Sequence, residues 1–170
     1  MKTKERKIKK ITITSVMTAL IFVITMFVKI PLGINGAYWN AGDVIIYMCA
    51  YILGGPLTAI AAAIGSGLAD LAGGAFLYIL PTVIIKAVMG IVAGIITKRQ
   101  NIGFYFLGAI AAGAIMAGAY SLYEYLLFGS GALAITLPFN LIQWFGGVGI
   151  AMLFYPAART VSSYYNFRSK

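Results

Sequence analysis

Apart from the basic groups near its two ends and the Lys98-Arg99 pair, the chain carries five acidic or basic side chains, Lys29, Asp43, Asp70, Lys86 and Glu124, each set in apolar sequence. A charge in a bilayer interior costs at least about 2.5 kcal/mol on insertion scales, so such residues face a polar cavity or pair with one another. Two chemistries follow. Carboxylates beside an ammonium group can hold a polar solute, and Lys86 with Glu124 or Asp70 can also pass a proton, as in an intramembrane enzyme. Structural roles compete with both: Lys29 can snorkel to the interface, Asp43 can cap the helix it opens, Lys86 can pair with Glu124, and Asp70 can bond to a neighbouring helix end.

Polar and aromatic companions occur at helical spacing. Asn140 and Trp144 stand four residues apart on one face with Gln143 beside them, and a carboxamide pair next to an indole can hydrogen-bond and stack a flat heterocycle. Tyr120 and Glu124 repeat that spacing, and Tyr38, Trp39 and Asn40 end a loop able to close over such a site. Aromatics at this depth also serve as plain interfacial anchors. Asp70 follows Gly65-Ser66-Gly67-Leu68-Ala69, where the lack of bulk lets another helix or a ligand approach the backbone.

The elements that must position these residues are membrane helices. With 61% hydrophobic and 10% charged residues, the 170-residue chain has too little polar surface to coat a soluble globule. The first helix is expected over 11–30, long enough for a bilayer core of about 30 Å and ended by Pro31; the lack of a small-residue cleavage site sets it apart from a signal peptide. A loop over 31–40, a short helix over 41–53 and a third over 57–72 follow, separated by Gly54-Gly55-Pro56. The fourth starts at Pro81-Thr82 and runs to Thr97, the fifth covers 102–128, Gly129-Ser130-Gly131 breaks it, and the sixth covers about 137–155. Small residues recur every fourth position, as in Ala59, Ala63 and Gly67, Gly90 and Gly94, and Ala109, Gly113 and Ala117, which suits helices packed backbone to backbone.

Six crossings bring residues 2–10, Lys98 and Arg99, and Arg159, Arg168 and Lys170 to one side, whereas a single crossing over 41–72 splits these basic groups. Lys and Arg favour the cytoplasm, so the expected fold is an all-α bundle of six transmembrane helices with both termini cytoplasmic. It forms one membrane domain over 1–170, with a basic cytoplasmic start (1–10), an outer lid loop (31–40) and a cytoplasmic end (156–170). The five internal charges then fall in the outward halves or at the outer ends of five different helices, on one level.

Histidine is absent and Cys49 is the single cysteine, so zinc, haem, iron–sulfur and His-based catalytic designs fall away; Cys49 reads as a small buried hydrophobe, and no metal or cofactor is expected. No P-loop is present, so ATP-driven work must come from a partner. The net charge of +9 sits where helices leave the membrane and marks topology, not nucleic acid. The inner half of the bundle has no internal polar residues beyond Ser and Thr, which argues against a self-sufficient permease or channel.

The ordered motifs Gly42-Asp43-Val-Ile-Ile-Tyr47, Leu53-Gly-Gly-Pro56, Ile64-Gly-Ser-Gly-Leu-Ala-Asp70 and Pro81-Thr-Val-Ile-Ile-Lys86-Ala-Val-Met-Gly90 resemble the substrate-binding S components of energy-coupling factor (ECF) vitamin transporters, in the riboflavin-type branch that includes hydroxymethylpyrimidine and vitamin B6 proteins. The resemblance runs from Thr14 to about Tyr155. It implies a multi-pass protein of the bacterial plasma membrane that binds a vitamin near the outer surface under the loop after helix 1. It also implies no ATPase of its own, and partnership with a transmembrane coupling subunit and two cytoplasmic ATPases. Small residues on helix 1 meet the coupling subunit in that family, and the matching positions are Ser15 and Ala19, with serine in place of the common alanine. Asp43, Asp70, Lys86 and Glu124 suit a small ring with hydroxyl and ring-nitrogen groups, which favours a pyridoxine-like or hydroxymethylpyrimidine-like ligand over riboflavin.

Overall fold

A computed structural model describes residues 2–32, 37–165 and 167 of the chain. The middle of the expected lid, 33–36, and the terminal basic residues Arg168 and Lys170 lie outside the described residues.

The described residues are all-α apart from one small hairpin. Their elements are α1 (Lys2–Phe27), β1 (Lys29–Pro31), β2 (Tyr38–Asn40), α2 (Gly42–Leu53), α3 (Gly55–Ala72), α4 (Ile79–Ile96), α5 (Ile102–Leu153) and α6 (Tyr155–Tyr165), with single 3₁₀ turns at Phe76–Tyr78 and Thr97–Arg99. The 52 residues of α5 would measure about 78 Å if straight, more than twice a bilayer core. At Gly129 the backbone turns through φ 80°, a left-handed conformation that glycine adopts without strain, and α5 folds into two arms, 102–128 and 130–153. The arms run antiparallel, for Asn140, Gln143 and Trp144 meet Glu124, Met116 and Ile110 in reverse order. α1 to α4 and these two arms make the six rods of the bundle, and α6 packs its Ala158 and Ser162 face on the end of α2.

Several boundaries differ from expectation for physical reasons. α1 starts well before residue 11, because the Lys, Arg and Glu of the basic start are good helix formers and extend the rod with Lys4, Lys7 and Lys9 exposed. The break in α5 needs one residue only, so 130–136 are helical and Pro138 lies inside the second arm. Within 156–170, expected simply as a cytoplasmic end, the residues up to Tyr165 belong to α6. The loop over 31–40 is tied at both sides by antiparallel pairing of Lys29 with Asn40, Ile30 with Trp39 and Pro31 with Tyr38. Three-residue strands are too short for alternation to reveal.

Small residues set the helix spacing. α3 and α4 touch so closely that a methyl group at Gly90 would lie 2.8 Å from the Ala59 nitrogen, and one at Gly94 would overlap the Gly55 backbone. Tyr47, Met89, Tyr105, Ala109, Ala112 and Met116 fill the space between α2, α4 and α5. Ile21, Ile46, Cys49 and Ala62 fill that between α1, α2 and α3, with Cys49 wholly buried.

The two chain ends meet at one end of the bundle. Arg6 Nη2 donates to the Phe167 carbonyl (3.1 Å), and Gln100 Nε2 donates to Ser162 Oγ (2.7 Å). The hairpin caps the opposite end. An even number of crossings follows from that arrangement.

Candidate functional site

The hairpin is held down at separate helices. Tyr38 donates its phenol proton to Asp70 Oδ1 on the last turn of α3, and the Asn40 N–H donates to Gln143 Oε1 of α5 (3.0 Å). Burial, with the Asp70 charge adding to it, pushes the Tyr38 phenol far above its ordinary range, so it stays a donor. Asn40 Oδ1 in turn accepts the Gly42 N–H (2.9 Å) and joins the hairpin to the start of α2.

Beneath the hairpin lies a polar cavity of about 30 Å³, room for a water or two. A ring-sized ligand enters only if the hairpin or its side chains move outward. Three helices supply its wall by the same device, a pair of residues one turn apart: Ser66 and Asp70 on α3, Thr82 and Lys86 on α4, Tyr120 and Glu124 on α5. Asn140 and Gln143 come from the second arm of α5, Thr25 from α1, and Leu32, Tyr38, Asn40 and Tyr78 close the top.

One side of this wall is internally satisfied. Lys86 forms an ion pair with Asp43 Oδ1, with both side chains nearly inaccessible, and Asp43 Oδ2 accepts from Gln143 Nε2 (2.8 Å). Glu124 accepts from Tyr78 (3.3 Å) and from Asn140 Nδ2 (3.0 Å), while Asn140 also reaches Ser121 Oγ (3.2 Å). The Thr82 and Tyr120 hydroxyls share a bond of 2.7 Å, and Lys86 Nζ lies 5.5 Å from the centre of the Tyr120 ring. In so apolar a setting each group needs such a partner, because stripping water from an unpaired charge is costly. Two structural roles open in the sequence are corrected here. Asp43 makes no capping bond at the start of α2, since Lys86 and Gln143 take both its oxygens; Lys86 pairs with Asp43 and not with Glu124.

The other side is not satisfied. Thr25 Oγ1, Ser66 Oγ and Asp70 Oδ2 are buried without a hydrogen-bond partner. Thr82 lies close enough to influence Asp70, and its hydroxyl also shares a bond with Tyr120 in which either oxygen can be the donor.

Of the residues singled out in the sequence, Tyr38, Asn40, Asp70, Lys86, Tyr120, Glu124, Asn140 and Gln143 share this cavity, and Asp43 stands behind it. Trp39 pairs with Ile30 in the hairpin and Trp144 donates to the Ile110 carbonyl (3.0 Å) and stacks on Phe145, so neither indole lines the wall. Lys29 lies at the rim, 5.2 Å from the Tyr38 ring centre. Thr25, Ser66, Tyr78 and Thr82 line the cavity as well, although the sequence did not mark them as site residues. Ser66 and Thr82 could have been found, each standing one turn before a charged residue; Thr25 has no such signal. No cluster of metal-ligating side chains occurs among the described residues.

Ser15 and Ala19 lie elsewhere, in an open apolar groove of about 620 Å³ between α1 and α3. Thr18 and Phe22 continue its α1 side, and Leu57, Ile60, Ile64 and Leu68 form the α3 side.

Against known proteins, the family model for the ECF-type riboflavin transporter S component matches residues 5–160. The thiamine precursor transporter HmpT of Lactococcus lactis subsp. cremoris is 28% identical over 164 residues, covering 96% of this chain and 95% of that one. A Pyrococcus woesei protein described only as uncharacterized is 32% identical over 127 residues, 74% of this chain and 85% of its own length.

Proposed function

We propose that this chain, which belongs to the family of ECF-type riboflavin transporter S components and is therefore a multi-pass cell-membrane protein, captures a small hydroxylated heteroaromatic vitamin or vitamin precursor in the cavity under the hairpin. The observation that carries this reading is the cavity itself: carboxylates, an ammonium group, carboxamides and hydroxyls from α1, α3, α4 and both arms of α5 converge at one end of an otherwise apolar bundle. Such convergence of costly polar groups marks a binding site for a polar solute.

The similarity to a thiamine precursor transporter supports a pyrimidine-type ligand, and a pyridoxine-type ring has the same hydroxyl and ring-nitrogen chemistry. Riboflavin is the second reading, favoured by the family model. The basic residues of α1, Lys98, Arg99 and Arg159 gather at the end away from the cavity, which supports an outward-facing site and cytoplasmic termini. The α1/α3 groove around Ser15 and Ala19 suits a transmembrane coupling subunit, and that subunit with two ATPases would supply the energy this chain does not.

Native mass spectrometry of the purified protein against a B-vitamin panel tests the reading. A hydroxymethylpyrimidine or pyridoxine adduct is expected, and uptake into liposomes should require ATP and the partner subunits. An empty result across the panel would sink it.

A further inference from the structure

Thr25 Oγ1, Ser66 Oγ and Asp70 Oδ2 are three buried polar atoms without partners, on residues each 1% exposed, and all three residues wall the same cavity. Native interiors leave few polar groups unpaired, and each such group calls for an explanation. Here the three come from two adjacent helices, Thr25 from α1 and Ser66 with Asp70 from one face of α3, whereas the charged groups of α2, α4 and α5 already bond to one another.

We infer that Thr25, Ser66 and Asp70 form a subsite for an alcohol group of the ligand. The donor and acceptor inventory selects that group. A buried carboxylate oxygen needs one donor, and two hydroxyls each have a proton to give; an alcohol donates once and accepts twice. Its proton goes to Asp70 Oδ2, and its two lone pairs take the protons of Thr25 and Ser66. A methyl group answers none of the three. A water can meet the same atoms in the unliganded protein, and an alcohol replaces that water bond for bond, which avoids the loss that follows when a ligand displaces an ordered water without reproducing its bonds. On this account the α1/α3 wall selects the ligand, while Lys86, Asp43 and Gln143 shape the opposite wall.

This subsite rests on the cavity being the ligand site, so the test separates the two. Affinities of the purified protein are measured by titration calorimetry for two matched pairs: hydroxymethylpyrimidine against its analogue with methyl in place of hydroxymethyl, and pyridoxine against 4-deoxypyridoxine. The intact protein should prefer at least one alcohol over its deoxy analogue by about tenfold or more, since a site built to bond a hydroxyl rejects the compound lacking it. Thr25→Val and Ser66→Ala, singly and together, should shrink that preference to within about threefold, while Thr25→Ser keeps it. Melting temperatures of the unliganded variants, which lose no hydrogen bond within the protein, should stay close to that of the parent and so report intact folding. Equal binding of alcohol and deoxy compound by the intact protein, or an undiminished preference in the double variant, overturns the subsite alone. If the intact protein binds none of the four compounds, the ligand assignment falls and the subsite with it.

Discussion

Lys86 on α4 and Asp43 on α2 form an ion pair whose side chains are 2% and 1% exposed. It joins two helices far apart in sequence and holds Asp43 where Gln143 can also reach it. Removing one member strands the other as a buried charge, a loss of roughly 3–5 kcal/mol, whereas removing both together does not. Lys86→Met and Asp43→Asn should each lower the melting temperature in detergent, and the double variant should be more stable than the sum of the two losses implies. Strictly additive losses in that cycle would mean the pair is not coupled.

Tyr38 and Asp70 form the fastening between hairpin and helix. Tyr38→Phe keeps the ring and removes the bond, so ligand dissociation should quicken by about tenfold, the equivalent of about 1.4 kcal/mol, with less change in association. Because burial raises the phenol above its ordinary value of 10.0, its protonated form is the one the fold favours. The contribution is then complete below about pH 10 and is lost only as pH rises further. Stopped-flow traces should therefore give the same ratio of variant to parent dissociation rates at pH 6.5 and pH 9; a ratio that collapses by pH 9 would contradict a protonated phenol.

Much of this site was legible before the fold was known, and the reason is physical. Asp70, Lys86 and Glu124 stand out because a charge in apolar sequence is costly, and helical spacing of three and four residues assigns Asn140, Gln143 and Trp144 to a shared face. Trp144 obeys the same period but packs against the first arm of α5, since spacing tells which residues share a face and not which neighbour the face meets. Thr25 and Ser66 are small hydroxyls that membrane helices carry freely by bonding back to their own carbonyls, as Thr14 and Thr18 do here, so only their lack of partners in three dimensions sets them apart. The single-residue turn at Gly129 and the three-residue strands of the hairpin fall below the length at which periodicity carries a signal.

The contact between α3 and α4 should be intolerant of added bulk. A side chain at Gly94 would meet the Gly55 backbone, which cannot rotate aside as a side chain can. Gly94→Val should force the helices apart and misplace Ser66 and Asp70 relative to Thr82 and Lys86. The expected result is a melting temperature lower by several degrees and a weaker ligand complex, while Gly146→Ala, where an added methyl meets nothing within 4 Å, changes neither. A Gly94→Val protein as stable as the parent would show that the two backbones are not in essential contact.

If the groove between α1 and α3 is the proposed docking surface, binding and transport should separate there. Its wall from Ser15 and Ala19 to Ile64 and Leu68 faces away from the cavity, although α1 and α3 also carry Thr25, Ser66 and Asp70. In lipid, apolar surface alone does not drive association, so a partner helix must gain its contact from close fit against small residues. Ala19→Trp fills the groove without touching the cavity. Ligand affinity in detergent should stay within about threefold of the parent, and co-purification with the coupling subunit and ATP-dependent uptake should drop by about tenfold or more. Loss of ligand affinity with assembly intact would place Ala19 in the binding site, and uptake at the parental rate would move the docking surface away from this groove.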